Sequence, residues 1–412
     1  MSNKKKILVA VFAVLALYLV FVVIAVILDT KDSRESSSSQ NGRVKETRHY
    51  PGEEEFNAGM AFFEAGDQES AIDHFIAAAE QGNPVAKYRL GLCFLNAEGF
   101  DTATSMYPAD LTEAMAWFQE AAEDGYAEAQ YELGRCYYNG TGVEGNRLEA
   151  VKWFTKAAKQ GLADAQYALG HYYDDYSPRA NDWKKAREWY LKAAEQGHVR
   201  AQYDLGYHYL NSRGDWNIDE AIKWFRKAAD QGFAAAQLQL GYLYRNGIAG
   251  RSIEAVDWFR KAADQGLAKA QYELAACYWD GRGVGEDKAE AMKLFRASAE
   301  NGFSWAQCQL GKFYLEGDSV EQNTAEAAKW FRKAAEQDET QAQYLLGQLC
   351  ETGDGVEKDL NEAVKWYTRA ADHRDDNALE ALERLGVEYI SLPDREHEWS
   401  EKLERQRPPD SL

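Results

Sequence analysis

Seven histidines are the first candidates for metal binding or general-base chemistry: His49, His74, His171, His198, His208, His373 and His397. None stands in an HExxH or HxxxH arrangement, the spacing that sets two ligands on one face of a helix. His171 and His208 fall one register apart in adjacent copies of a repeat, where a metal shared with Asp174 or Asp175 competes with a plain solvated or groove-lining role. Gly281-Arg282-Gly283-Val284-Gly285 has the composition of a nucleotide loop, yet it follows no predicted strand and lacks the Lys-Ser or Lys-Thr that meets phosphate. The same turn recurs as Gly140-Thr141-Gly142-Val143 and Gly353-Asp354-Gly355-Val356, so it reads as a helix-to-helix connection; the formal glycosylation acceptor Asn139-Gly140-Thr141 within it reads as chance. Glu149, Glu220, Glu254, Glu290 and Glu326 recur at helix starts, where a negative charge meets the helix dipole, and form no facing acid and base pair. Five cysteines cannot all pair within one chain, and Cys93, Cys136 and Cys277 share one register, which suits small buried apolar groups better than a disulfide framework; Cys308 and Cys350 complete the set. No catalytic residue, cofactor or metal is expected.

The elements that carry these residues follow from composition. The 412 residues include 24 Tyr and 12 Trp but only 7 Pro, which points to a long, aromatic, mostly helical body. The net charge is -20, and the first 50 residues hold eight Lys/Arg against four Asp/Glu, so the remaining 362 carry -24. A body that acidic repels phosphate backbones, and nucleic acid is excluded as a partner.

Self-comparison resolves the body into copies. An AxYxLG core begins at Ala86, Ala129, Ala165, Ala201, Ala236, Ala270, Ala306 and Ala342, with closing residues separated by 43, 36, 36, 35, 34, 36 and 36. An aromatic pair keeps the same period from Trp117-Phe118 to Trp366-Tyr367, with Leu294-Phe295 filling one slot. Each copy therefore predicts two amphipathic helices. In the first, Ala, Leu and a later Tyr share a face, and the Gly after the Leu is expected to let a neighbouring backbone approach. In the second, Glu149, Ala150, Trp153, Phe154, Ala157 and Ala158 repeat the spacing, and Gly161 supplies the left-handed stop. Neither helix can bury its stripe alone; stacked pairs make one continuous core.

These motifs closely resemble the Sel-one-like repeat (SLR) family, a relative of the tetratricopeptide repeat: the AxYxLG helix, the GxGV turn and an EAxxWFxKAAxxG helix, over about Glu53 to Leu392. The resemblance implies an all-α, right-handed α-solenoid of about nine helix-turn-helix units across residues 53–392. The ends depart from the pattern. Glu53 to Gly82 has His74 in the Trp slot and resembles an ordinary tetratricopeptide unit or cap, Ala378 to Gly386 looks like a last first-helix, and residues 393–412 hold a charged helix (Asp394 to Gln406) suited to capping. The 43-residue spacing marks an inserted loop at about Ala97 to Ala109, either a partner contact or a plain solvent loop.

Ile7 to Leu28 is an uninterrupted apolar run of 22 residues. At about 1.5 Å per residue it spans a hydrocarbon layer of roughly 30 Å and is expected to be an uncleaved transmembrane anchor. Lys4, Lys5 and Lys6 in the tail 1–6 favour a cytoplasmic amino terminus and a body outside, periplasmic in a Gram-negative cell. Lys31, Arg34, Arg43, Lys45 and Arg48 follow the span and keep a cytoplasmic body as the alternative. Residues 29–52 read as a flexible polar linker.

By analogy with tetratricopeptide stacks, the first helices line the inner face. The expected inward residues are Tyr131, Arg135, Tyr167, His171 and Tyr203, then Tyr207, Tyr242, Arg245, Trp279 and Lys312, with Tyr88, Tyr138, Asp174, Leu238 and Tyr272 at equivalent positions. Rigid aromatics beside Arg suit a protein or peptide ligand; the Tyr of AxYxLG equally suits packing between repeats. The resemblance implies a non-catalytic adaptor that binds proteins in envelope or signalling complexes. Cell-wall glycan, stacked on the aromatics, is the alternative partner.

Overall fold

The computed structural model describes residues 49–95, 110–175, 182–211, 217–246 and 252–390. The expected anchor, most of the linker, the inserted loop and the closing charged helix lie outside them. Among the described residues there are 19 α-helices and no strand, and no helix is long and apolar enough to cross a membrane. The chain divides into two compact units, ending and starting at Ala201 and Gln202.

Both units repeat one pattern. In the first, α1 (Glu53–Glu64), α3 (Pro84–Leu95), α5 (Ala127–Asn139) and α7 (Ala163–Asp175) are first helices, alternating with second helices α2 (Gln68–Glu80), α4 (Leu111–Glu123), α6 (Arg147–Lys159) and α8 (Asp182–Glu195). Helix α9 (Val199–Asn211) spans the division. The second unit continues with α10 (Ile218–Asp230), α11 (Ala234–Asn246), α12 (Ser252–Asp264), α13 (Ala268–Asp280), α14 (Lys288–Glu300), α15 (Ser304–Glu316), α16 (Thr324–Ala335), α17 (Thr340–Thr352), α18 (Leu360–Asp372) and α19 (Asp376–Arg384). Within each unit helices pack on their sequence neighbours, most extensively a first helix on the second helix that follows it. The result is a solenoid of stacked hairpins.

Local chemistry sets the boundaries. Several second helices start at an Asn or Asp whose side chain accepts the backbone N–H of a Glu three residues on: Asn146 from Glu149 at 3.1 Å, Asp287 from Glu290 at 2.9 Å and Asn323 from Glu326 at 2.9 Å. These caps satisfy donors that the first helical turn leaves unpaired. Most of their ends close in left-handed glycines, with Asp338 and Arg374 in that place in the last two; at Gly125 (φ 89°) the N–H of Tyr126 reaches Ala121 O and that of Gly125 reaches Ala122 O.

The glycine of AxYxLG admits a ring as well as the expected neighbouring backbone. A Cβ at Gly134 would lie 2.6 Å from the ring of Phe154, and one at Gly206 2.7 Å from Phe225. The bare Cα makes room for the aromatic of the next helix, and the backbone of that helix comes near as well: the Ala150 carbonyl oxygen would lie 3.3 Å from a Cβ at Gly134. Gly59 does the same for Phe75 in the first hairpin, where His74 turns outward, stacks on Phe62 and bonds Glu55 at 2.7 Å.

A buried amide ladder runs beside this seam. The Gln before each AxYxLG tyrosine position is buried at Gln130, Gln166, Gln202, Gln237, Gln271, Gln307 and Gln343. Gln130 Nε2 donates to Ala122 O at 3.0 Å in the preceding second helix, and its Oε1 accepts from Gln160 Nε2 at 2.8 Å. Gln307 repeats both bonds, to Ala299 O at 3.0 Å and from Gln337 at 2.8 Å. Each rung adds a second donor to a helix-end carbonyl that already accepts a backbone N–H from the turn, and it gives the buried amide a partner of its own. Cys136, Cys277, Cys308 and Cys350 are buried thiols and Cys93 is half-buried, all without disulfides.

Candidate functional site

In the first unit, α5, α7 and the first turn of α9 enclose an open cleft of about 240 Å³ over the buried ring of Phe154. Tyr131, Arg135, Tyr138 and Asn139 come from α5, Tyr167 and His171 from α7, and Arg200 from α9. Four expected inward residues, Tyr131, Arg135, Tyr167 and His171, are thus brought together. Their helical spacing explains this: positions four apart stack on one face, and packing of successive first helices sets two such faces side by side.

Tyr131 and Tyr167 pack between helices, one of the two roles left open by the sequence, and also line the cleft. Tyr131 lies 5.7 Å from Phe154 and Tyr167 5.7 Å from Tyr190, so each packs its ring between helices, while both remain only half-buried and line the cleft. Burial pushes the Tyr131 hydroxyl up from its ordinary range, keeping it a neutral donor. Beneath them the acids are tied. Glu132, buried on α5, holds the Arg135 guanidinium at 3.0 Å, and burial raises its carboxyl against the opposing pull of that arginine. His198 accepts the Ala201 N–H at Nδ1 (3.0 Å), which places its proton on Nε2, 3.3 Å from Asp164; that bond holds the Asp164 carboxyl below the usual range. The His198 ring also stacks on Tyr167 with centroids 4.5 Å apart. His171 faces Asp175 on its own helix at 3.3 Å, and no group of three or more His, Cys, Asp or Glu able to hold a metal occurs among the described residues.

The remaining candidates lie in the second unit. Tyr203 and Tyr207 meet edge to face at 5.0 Å. Tyr242 donates to the buried Glu273 at 2.8 Å, and Arg245 bonds the other oxygen of the same carboxylate. Trp279 is half-buried against Phe313 at 4.6 Å, and Lys312 bonds Gln341. Leu238 differs from expectation: it is buried, because an aliphatic side chain in the tyrosine slot has no polar end to hold at the surface.

Nine consecutive matches to the Sel1 repeat cover residues 61–83, 84–126, 127–162, 163–198, 199–233, 234–267, 268–303, 306–339 and 340–375. The chain belongs to the Sel1 repeat family. Among solved structures, a Sel1 repeat protein from Oxalobacter formigenes is 30% identical, with 85% of this chain and 99% of that one covered and a TM-score of 0.61. A protective antigen of uropathogenic Escherichia coli with an SLR fold is 32% identical over 87% of this chain and 83% of its own, with a TM-score of 0.42. Among curated proteins none matches the chain.

Two features of this Sel1 array escape a reading of the AxYxLG face alone. Trp305 is 59% exposed in the first turn of α15, beside Phe303 and Tyr272, in a slot that is Glu128, Asp164, Arg200 or Lys269 in other repeats. His198 holds a position that is Tyr126, Phe233 or Phe303 elsewhere, and it alone among these brings a side-chain acceptor to the helix start. Both signals were present as departures from the repeat pattern.

Proposed function

We propose that this Sel1 repeat chain is a membrane-tethered, non-catalytic scaffold that captures a polypeptide partner on its first-helix face. The observation that carries the reading is the first-unit cleft, where half-buried tyrosine edges, Arg135, His171, Asn139 and Arg200 face one open space while the neighbouring acids are tied internally. Rigid aromatics with arginine supply affinity at low entropic cost. Membership of a family of interaction solenoids supports contact in place of turnover. The apolar run Ile7 to Leu28 and the lysines before it support a bilayer anchor with the amino terminus cytoplasmic and the solenoid outside, in envelope or signalling complexes.

The test is cross-linking in intact cells with mass-spectrometric identification, for the natural chain and for a Tyr131→Ala, Arg135→Ala, Tyr167→Ala, His171→Ala variant with unchanged circular dichroism. Loss of one reproducible protein adduct in the variant supports the reading. An unchanged adduct set refutes the cleft, and retention on purified wall glycan without any protein adduct replaces the partner class. Protease access at Ser36 to Ser39 in intact cells reports sidedness; protection there would place the solenoid in the cytoplasm.

A further inference from the structure

We infer that a groove along α14 in the second unit is a separate binding site for an acidic peptide segment bearing an aliphatic side chain. It lies apart from the first-unit cleft in sequence and does not depend on that site. The groove measures about 640 Å³, within the roughly 300–1,000 Å³ typical of ligand sites. One wall is a continuous strip of α14 carrying Lys288, Met292, Lys293 and Arg296; the other is Ser319 and Val320 in the turn before α16.

Three departures from the repeat pattern coincide here. In the other copies of this turn the third residue is glycine, and it sits directly on the start of the preceding second helix: a Cβ at Gly142 would be 2.3 Å from Leu111 O, and one at Gly283 2.3 Å from Ser252 O. Ser319 occupies that slot with φ 61° and does carry a Cβ, so its turn cannot seat as closely on Lys288. The Trp of the aromatic pair is replaced by Leu294. Elsewhere a lysine three residues after that Trp folds over the indole, as Lys156 does at 3.5 Å, Lys227 at 4.1 Å and Lys333 at 4.1 Å; here the position is Ala297, which lines the open groove.

The lining also determines the occupant. Its cations are Lys288, Lys293 and Arg296 against the single acid Glu300, in a chain of net charge -20. Lys293 also meets Glu290 at 2.9 Å, Lys288 lies 4.9 Å from the Trp279 ring centroid, and Arg296 donates to the Tyr314 hydroxyl at 2.9 Å, a bond that orients the guanidinium and leaves further donors. Met292, Ala289, Ala297 and Val320 give an apolar floor between these charges. Carboxylates at the rim and an aliphatic side chain on the floor match that pattern, whereas a basic or purely polar segment does not.

The experiment uses the full chain and fluorescence anisotropy of a fluorescein-labelled peptide alternating glutamate and leucine. The expected result is saturable binding that weakens with salt, falls at least about tenfold in Lys288→Gln with Arg296→Gln, and is lost in Ala297→Trp, which fills the groove and leaves every charge in place. The first-unit variant Arg135→Ala, Tyr167→Ala should bind the probe as the natural chain does, so failure here is distinguishable from failure of the scaffold cleft. Equal binding by the groove variants, equal binding of a lysine and leucine peptide, or no saturable binding overturns the inference. So does retention on phosphatidylglycerol vesicles, dependent on Lys288 and Arg296, without peptide binding.

Discussion

Replacing His373 by Gln should stabilise the last repeats, although it changes one exposed residue at a helix end. Gln343 is fully buried; its Nε2 donates to Ala335 O at 3.2 Å, but its Oε1 has no hydrogen-bond partner. In the other rungs the corresponding oxygen accepts from the residue beside the turn, as from Gln231 to Gln202 and from Gln337 to Gln307, both at 2.8 Å. The residue in that place after α18 is His373. An unpaired buried acceptor costs about 1–3 kcal/mol. Supplying a donor recovers most of this, less the rotamer freedom of an ordered glutamine, at most about 2 kcal/mol. The net expectation is about 1 kcal/mol in favour of His373→Gln, roughly a fivefold slowing of amide exchange through local opening of α17 and α18. The converse change, Gln160→His, removes bonds of 2.8 Å to Gln130 Oε1 and 2.9 Å to Gly125 O and should cost about 1–2 kcal/mol around α5 and α6. Site-resolved hydrogen exchange is the right assay, because a repeat array need not unfold in one step. Unchanged or faster exchange in His373→Gln, together with no loss in Gln160→His, would refute the claim that the ladder contributes to stability.

Three further outcomes follow from the same geometry. Gly134→Val should destabilise the first unit by about 1–3 kcal/mol in urea unfolding, since the added carbon atoms meet the Phe154 ring, and Phe154→Leu in the same chain should recover part of the loss. Burial pushes the Cys136 thiol up from 9.0 to about 11, so the unfolded chain gives up that proton first; the stability involved is present below about pH 9 and is lost as pH rises toward 11, and the fall in urea midpoint between about pH 8 and pH 10 should be smaller in Cys136→Ala. Asp164 has the opposite sign: its His198 bond depresses the carboxyl, so the contribution exists above the unfolded value of about 3.9 and disappears as pH falls below it. The stability gap between the natural chain and Asp164→Asn in thermal unfolding should close under acid.

The period, the two-helix unit and the buried aromatic seam were legible in the sequence because burial of a stripe leaves a periodic trace that sums over many copies. The closing first-helix, α19, was legible for the same reason. The glycine of AxYxLG showed that space was short and that a backbone came near; that a ring also fills the space depends on the packing angle of the following helix, which no single copy encodes. The glutamine ladder was hidden by residue type, since Gln130 and Gln160 belong to the class expected at the surface, and their bond joins residues 30 apart. In the candidate site, helical spacing grouped Tyr131 with Arg135 and Tyr167 with His171. Arg200 and the tie from His198 to Asp164 come from where one helix begins against another, which is tertiary information. The groove along α14 emerges only when Ser319 and Ala297, each unremarkable alone, are found lining one space, with Leu294 in place of the repeat's Trp on the same helix.

The glutamine rungs also bear on how such a chain changes length over generations. The rungs at Gln130, Gln166, Gln237, Gln271 and Gln307 use the same two partners, an alanine carbonyl behind and an amide at the end of their own hairpin, so a hairpin copied or lost in tandem among them meets neighbours that already fit it. Nothing in that contact fixes the number of copies. The length of this array is therefore free to be tuned by the size of whatever it must reach, through duplication or loss of whole hairpins and without the invention of a new interface.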